Sequence, residues 1–426
     1  MKIKTILLGA AATLLATASC AYATEAMYHT HKPKKHVVIT HVVKKKTIVV
    51  ANACSILGSD LINIPGTSTC IKIYGQVSGT VFGGSTLSAT EIGVMKDQKE
   101  DEKHTGLNSE ARIGLESYAP SSMGPIHARI EARGNLRNGL GYLSYGTHFP
   151  NGAPVVYGQN AHLNIHYAYA ELGGLRLGVD ESIFNYWTNN FGGVENDTIL
   201  NPLADTSLNA ISYRFSNHKG MSAIIGLESS DRAISFLNEL NDYYHSIHNS
   251  NKPEAASLIA GVKFEQNWGD VIGVAAYDSY FKKSSAKIRI DRNINNRLNV
   301  FGLAAVKTIK DTFSYDDATV GKFSRYSNWS AYGDWDGKWE AIIGGTYLVK
   351  PNVTFNAQLG YTEAKTAAAS ANFVYEVAKN FTVTPELSYI SWNDDKTLNF
   401  YKHIVAESDL KGKHEVQAML KICYKF

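Results

Sequence analysis

From Cys70 to its C-terminus the chain alternates apolar and polar residues with a period of two. The last stretch shows this most cleanly. Val416, Ala418, Leu420, Ile422, Tyr424 and Phe426 fall on one face, and Glu415, Gln417, Lys421 and Lys425 fall on the other. Successive side chains of an extended strand point to opposite sides, so such a stretch has one apolar face and one wet face. Residues 70–83 put Ile71, Ile73, Val77 and Val81 outward and Lys72, Tyr74, Gln76, Ser78 and Thr80 inward. Residues 109–118 put Ala111, Ile113 and Leu115 outward, with Glu110, Arg112 and Glu116 inward. Residues 125–135 turn Ile126, Ala128, Ile130 and Ala132 out and His127, Arg129, Glu131 and Arg133 in. In 162–172, Leu163, Ile165, Tyr167 and Tyr169 read as outward, and Asn164 and His166 as inward. In 175–180, Leu175, Leu177 and Val179 point out, and Arg176 and Asp180 point in. Ten further stretches, including 286–291 and 380–390, bring the count to about sixteen, an even number as single-chain bacterial barrels require.

The connections fall into two lengths. Residues 120–124, 173–174, 217–220, 349–351 and 379–380 are short turns, whereas 90–105, 137–160, 231–256, 310–337 and 392–413 are long and polar. Short turns on one side and long loops on the other suit a transmembrane antiparallel β-barrel with lipid outside and water inside. The fold class expected is therefore all-β, with residues 70–426 as one barrel. No apolar run of about 20 residues follows the N-terminal segment, which excludes helical membrane spans. A barrel escapes that test, because half of every strand is polar.

Composition sharpens this picture at the N-terminus. Residues 1–23 read as a secretory leader: Lys2 and Lys4, then a short apolar run, then Ala21-Tyr22-Ala23 as a cleavage site. Residues 24–53 form a basic, His-containing periplasmic lead-in. Its lysines and those of the leader account for more than the whole formal charge of +3, so residues 51–426 carry about −4. A slightly acidic body argues against nucleic acid as a partner. Cys54 and Cys70 bound a short loop in an oxidising compartment, so a disulfide is expected between them. Cys423 is left as a free thiol once Cys20 departs with the leader. The His-x-His at His29 and His31 does not define a metal site, and no metal or other cofactor is expected.

One connection differs from the rest. After Asp180 and Glu181 come Phe184, Tyr186, Trp187 and Phe191, a turn at Gly192-Gly193, and then Glu195, Asp197 and Asp205. Aromatic residues in a loop need a surface to pack against, so this loop is expected to fold into the lumen and narrow it. Glu195, Asp197 and Asp205 would then stand at the narrowest point, across from Arg112, Arg129, Arg133, Arg176 and Arg214 on the wall. Acids facing arginines would set a transverse field that filters solutes by charge. The plainer alternative is that these arginines simply pair with Glu110, Glu116 and Glu131. No Gly-x-Ser-x-Gly or HExxH motif supports catalysis.

Several segments resemble the alphaproteobacterial general porins. They are Cys54-Ser-Ile-Leu-Gly, Ile64-Pro65-Gly66-Thr67-Ser68-Thr69-Cys70, the stretch from Thr354 to Tyr361, the stretch from Thr382 to Tyr389, and Leu177-Gly178 ahead of the aromatic loop. The terminal Tyr424 and Phe426 resemble the C-terminal signal of outer-membrane barrels. The resemblance implies a sixteen-stranded, trimeric barrel in the outer membrane, embedded in lipid, with a constriction loop after Asp180 and a lumen for small hydrophilic solutes and ions. Two features depart from the family: the Lys/His-rich lead-in, and Tyr74 where glycine is common. The rival readings are a barrel enzyme, protease or lipase, and an adhesin or receptor barrel whose long loops bind a partner.

Overall fold

The computed structural model describes residue 54 and residues 61–84, 104–138, 160–189, 192–197, 199–201, 207–217, 220–229, 256–279, 282–308, 315–317, 323–325, 330, 332–335, 337–393 and 412–426. The leader, the lead-in and Asp205 lie outside the described residues. The barrel strands are β1 (Cys70–Gly84), β2 (His104–Ala119), β3 (Ile126–Asn138), β4 (Asn160–Leu172), β5 (Leu175–Glu181), β6 (Ser207–Ser216), β7 (Met221–Glu228) and β8 (Ser257–Gln266). They continue with β9 (Gly269–Asp278), β10 (Lys283–Asn295), β11 (Leu298–Lys307), β12 (Trp339–Lys350), β13 (Val353–Thr362), β14 (Thr366–Ala378), β15 (Phe381–Trp392) and β16 (Lys413–Lys425). Each strand pairs antiparallel with its neighbours in the chain. β16 closes the ring on β1, from Gln417 opposite Gly84 to Lys425 opposite Gln76. A two-residue strand, Ile62–Asn63, lies against the start of β1, and Tyr315–Asp317 pairs with Phe323–Arg325 in a small separate hairpin.

Closure follows from the solvent. Hydrocarbon offers no hydrogen bonds, so an open sheet edge there would leave its backbone groups unsatisfied. The seam is completed by the last residue of the chain. Gly75 N donates to Phe426 O at 2.9 Å, and Phe426 N donates to Gly75 O at 3.0 Å. The Phe426 ring lies over Gly75, where an added Cβ would fall 2.4 Å from the ring. The turn between β4 and β5 is two residues long, Gly173 and Gly174, both at positive φ (57° and 100°). That is the geometry a tight hairpin needs and glycine supplies at no steric cost.

The expected outward residues do face out: Val77, Ile113, Ile130 and Leu177 are all exposed. Tyr167 and Tyr169 are corrections. A register shift between β3 and β4 sets Glu131 opposite Tyr167 and Ala132 opposite Ile165, leaving His166 as an extra residue. One extra residue reverses the parity beyond it. Tyr167 and Tyr169 are therefore buried on the inside.

Cys54 and Cys70 are disulfide-bonded, 16 residues apart, which limits the unfolded chain by about 3 kcal/mol in a loop-entropy account. Cys423 is likewise disulfide-bonded, not free. The expectation of a free thiol rests on the departure with the leader of Cys20, which lies outside the described residues.

The interior is also not wet throughout. Ile224, Ile259, Ile272, Val274, Leu303 and Ile342, on β7 to β12, point inward and pack with Ile183, Phe184 and Trp187 of the aromatic loop into one apolar cluster. The barrel thus contains a dry half along β7–β12. Its other half, along β1–β5, is lined by charged and hydroxyl-bearing side chains.

Removing Phe426 takes away the two hydrogen bonds at the seam, each worth about 1 kcal/mol net, and uncovers Gly75. The variant is expected to yield less barrel that resists unfolding in unheated detergent gels, and to unfold at lower temperature by circular dichroism. Wild-type yield and unfolding temperature would show that the seam holds without its last residue.

Candidate functional site

The segment after β5 enters the lumen as a single helical turn. Ser182 caps it, its Oγ accepting from Phe184 N at 3.2 Å, and α1 spans Ile183–Tyr186. The Glu228 carboxylate, at the end of β7, accepts from Ser182 Oγ at 2.8 Å and from Ile183 N at 2.5 Å. Lys287 Nζ donates to Asn185 Oδ1 at 2.7 Å, and Lys263 Nζ donates to Asn189 Oδ1 at 3.0 Å. Trp187 lies against Gly261, where a Cβ would meet its ring at 2.5 Å. Burial of Ile183, Phe184 and Trp187 contributes on the order of 2 kcal/mol each to holding this leg down.

The loop then crosses to the far wall. Asn372 Nδ2 donates to Gly193 O at 3.0 Å. The Glu386 carboxylate accepts from the backbone N–H groups of Glu195 and Asn196, while Asn196 Nδ2 donates to Ser388 Oγ at 2.9 Å. Gln358 Nε2 donates to Asp197 O at 2.8 Å, and on the return leg Asn201 Nδ2 donates to Glu340 Oε2 at 2.8 Å. Leu200 fills the space above Gly360 and joins Ala368, Ile390 and Trp392 in a second apolar cluster. These anchors of the described loop residues all lie on β7–β16.

This anchoring relocates the acids expected at the constriction. Glu195 forms an ion pair with Lys421 of β16, and its side chain is 4% exposed, so the carboxylate faces the wall and not the lumen. Burial pushes the Glu195 carboxyl up to about 7, against the opposing pull of Lys421. Asp197 is buried with its carbonyl on Gln358. Asp180 and Glu181 sit at the end of β5, within the β1–β5 wall itself.

On that wall four of the five expected arginines come together, each among acids. Arg112 pairs with Glu110, which also accepts from Gln76 Nε2 at 3.0 Å. Arg129 Nη2 lies 2.8 Å from Glu131 Oε2, and Arg133 Nε lies 2.7 Å from Glu131 Oε1. Arg176 bonds Glu171 at 2.7 Å and Asp180 at 2.6 Å. Arg214 stands apart, its guanidinium 5.7 Å from the Trp187 ring centre. The plainer alternative, pairing of the arginines with their neighbours, describes this geometry.

Sequence reasoning passed over the aromatic part of this wall. Arg129 Nε donates to Tyr74 Oη at 2.7 Å, and Tyr74 Oη donates to Glu131 Oε2 at 2.8 Å. The Arg129 guanidinium lies 3.8 Å from the Tyr167 ring centre, and that of Arg176 lies 4.1 Å from Tyr169. Stacking on a ring holds a guanidinium in place and adds about 0.5–2 kcal/mol each. Tyr74 bridges β1 to β3 across Gly114. The loop anchors Glu228, Lys287, Glu340 and Glu386 were also unassigned. Each lies at an inward position of a strand, and that parity was the available signal.

One trio needs its own account. His166 Nε2 lies 2.9 Å from Glu181 Oε1, and His166 Nδ1 lies 2.9 Å from Ser207 Oγ. Ser, His and Glu are the members of a hydrolytic triad, but here Tyr167 Oη also donates to Glu181 at 2.5 Å. The His166 and Glu181 side chains are 3% and 7% exposed, which leaves a substrate no approach to the imidazole. Glu181 ends β5 and Ser207 starts β6, so the imidazole ties together the two stems of the inward loop.

A family model described as "Porin subfamily" matches residues 41–419. Porin Omp2b of Brucella canis is 30% identical over 417 residues, covering 97% of this chain and 98% of the relative. Porin Omp2a of Brucella melitensis is 27% identical over the same shares of both chains. The outer membrane channel DcaP of Acinetobacter baumannii aligns over 84% of this chain and 98% of its own, with TM-score 0.50 and 14% identity. The high-pH structure of Pseudomonas putida OprB aligns over 84% and 94%, with TM-score 0.52 and 11% identity. These two share the fold. A closed sixteen-stranded barrel with a loop fastened inside it, matched along nearly its whole length, identifies the chain as a member of the porin family, an outer-membrane channel.

Proposed function

We propose that small hydrophilic solutes and ions cross this protein by passive diffusion along one half of its lumen, between the inward loop and the wall of β1–β5. One observation carries this reading: apart from His166, which ties the loop's stems, the anchors found among its described residues lie on β7–β16, and the dry cluster packs against β7–β12. Water is left with the β1–β5 side. Transport there requires no covalent step and no cofactor. The leader 1–23 would direct export, and residues 24–53 would extend into the periplasm.

Charge preference on this path follows from the wall. Glu110, Glu116, Glu131, Glu171, Asp180 and Glu181 stand among Arg112, Arg129, Arg133, Arg176 and Lys72. Acids outnumber bases, so the path favours cations weakly. In planar bilayers the protein is expected to give stable current steps and a reversal potential of cationic sign in a KCl gradient. Glu171→Gln, on the wall with its side chain 25% exposed, is expected to move that potential toward anions, whereas Glu195→Gln leaves it in place. A shift with Glu195→Gln and none with Glu171→Gln would return the selectivity to the loop. Hydrolysis without conductance would favour the enzyme reading.

We also propose a homotrimer packed through the outer faces of β1–β5. Aromatic side chains gather where a barrel meets the membrane interface. Exposed aromatics on the outer surface begin at β6: Tyr213, Phe215, Phe264, Tyr277, Trp339 and Tyr347 are examples. Among the described residues of β1–β5 the exposed large apolar side chains are aliphatic, such as Val77, Ile113, Ile130, Leu163, Ile165 and Leu177. A face without interfacial aromatics suits contact with other copies of the chain better than contact with lipid headgroups. Light scattering of the detergent-solubilised protein is expected to give the mass of three chains, and Leu177→Arg is expected to give a folded monomer. A wild-type monomer, or a Leu177→Arg trimer, would place the interface elsewhere or remove it.

A further inference from the structure

The long connection between β11 and β12 reads as an external polar loop, yet part of it is among the most deeply buried chain in the molecule. Trp335 and Tyr332 are 1% and 2% exposed, and Ser330 is fully buried. This segment reaches the ends of four strands on the long-loop side of the barrel. Ser330 Oγ donates to Asp278 Oδ2 at 2.5 Å, at the end of β9. Lys307 Nζ, at the end of β11, donates to Gly333 O at 2.8 Å and to Trp335 O at 2.5 Å. Tyr332 hydrogen-bonds to Ser257, the first residue of β8, and to Glu228, the last residue of β7.

The same segment touches the constriction loop. The Tyr332 ring meets Phe184 of α1 edge to face, with centres 5.8 Å apart and planes at 86°. Tyr332 and Trp335 belong to the apolar cluster that holds Ile183, Phe184 and Trp187 against β7–β12. Glu228 is the junction. Its carboxylate takes Ser182 and Ile183 from one segment and Tyr332 from the other. A buried carboxylate costs free energy unless donors surround it, so each segment supplies part of what the other needs.

We infer that the constriction is built from two chain segments, and that Ser330 with residues 332–335 forms its second part, a roof closing the dry half of the lumen at its external mouth. Tyr332 and Trp335 are the positioning residues. They keep water and solutes out of the space above α1, so that entry is confined to the β1–β5 side. Side chains this large, fixed by backbone carbonyls on Lys307 and by a shared carboxylate, occupy the space that would otherwise continue the pore across the barrel. This inference rests on the diffusion reading and goes beyond it, because it assigns the size limit jointly to the inward loop and to this roof.

The test is single-channel recording of the full-length protein in planar bilayers with a polyethylene glycol size series. Tyr332→Ala is expected to raise conductance by roughly 1.5- to 3-fold, to raise the polymer exclusion limit and to add current noise, as a second aqueous route opens. Tyr332→Phe keeps the edge contact with Phe184 and is expected to restore most of the exclusion limit while the noise stays above wild type. Heat-modifiable gel migration and circular dichroism report whether each barrel is intact. Where Tyr332→Ala does not fold, Ser330→Ala and Tyr332→Phe carry the test through their noise and exclusion limits. Intact variants with wild-type conductance, exclusion limit and noise overturn the roof. A wild-type protein that gives no current steps overturns the diffusion reading itself, and the roof with it.

Discussion

Every feature of this molecule is conditioned by the need to satisfy backbone hydrogen bonds where no water is available. In hydrocarbon an unpaired N–H or C=O costs several kcal/mol, so the sheet has to close. Closure makes inside and outside distinct, and the period-two alternation then assigns each residue to one side. The seam between β16 and β1 shows the same demand. The backbone of Phe426 completes the pairing with Gly75, and its ring covers the gap where Gly75 has no side chain. The same pairing of a large side chain with a facing glycine recurs inside the barrel, with Tyr74 on Gly114, Trp187 on Gly261 and Leu200 on Gly360. Each places a bulky group close to the wall where a Cβ would exclude it.

Once closed, the barrel still encloses more space than a diffusion path requires. The chain divides that space by chemistry. On β7–β12 the inward positions include Ile, Val, Leu and Phe beside buried charged groups such as Lys287, Arg289 and Lys307, and the loop brings Ile183, Phe184 and Trp187 to meet the apolar ones. Water is expelled there, and the loop is held by the same hydrophobic effect that holds a soluble core. On β1–β5 the inward positions are charged, and a charge retained there must keep either water or a partner. On the proposed reading the constriction has one packed flank and one wet flank, and its width depends on how firmly the packed flank is held.

Much of this was legible in the sequence, because alternation is a local property. The sixteen strands, the short and long connections, the Cys54–Cys70 bridge and the inward course of the loop after Asp180 all follow from residues close together in the chain. So does the outward direction of Ile113 or Leu177. What alternation could not show is where it breaks. The extra residue at His166 depends on how β4 pairs with β3, and it turns Tyr167 and Tyr169 from lipid to lumen. Nor could local pattern show partners far apart. Glu195 looked like a pore carboxylate because its partner, Lys421, lies 226 residues away on the closing strand. The dry half escaped notice for a related reason. Strands apolar on both faces, such as those carrying Ile224, Ile272 and Leu303, suggest burial without saying what buries them.

The wet wall poses the remaining physical question, which is why a conduction path should hold so many ion pairs. An arginine row alone would repel itself and bind anions too firmly for them to leave, and a carboxylate row would do the same to cations. Interleaving the two keeps both signs within reach of a passing solute and leaves only a small net charge. Pairing also holds the side chains still. Arg129 is fixed by Glu131, by the hydroxyl of Tyr74 and by the face of Tyr167, so it cannot swing across the path. Tyr74 thereby works through Arg129: its hydroxyl helps to make a long cationic side chain part of a rigid wall. A surface of this kind offers solutes fixed dipoles and ordered water in place of strong binding sites, which is what passage without retention requires.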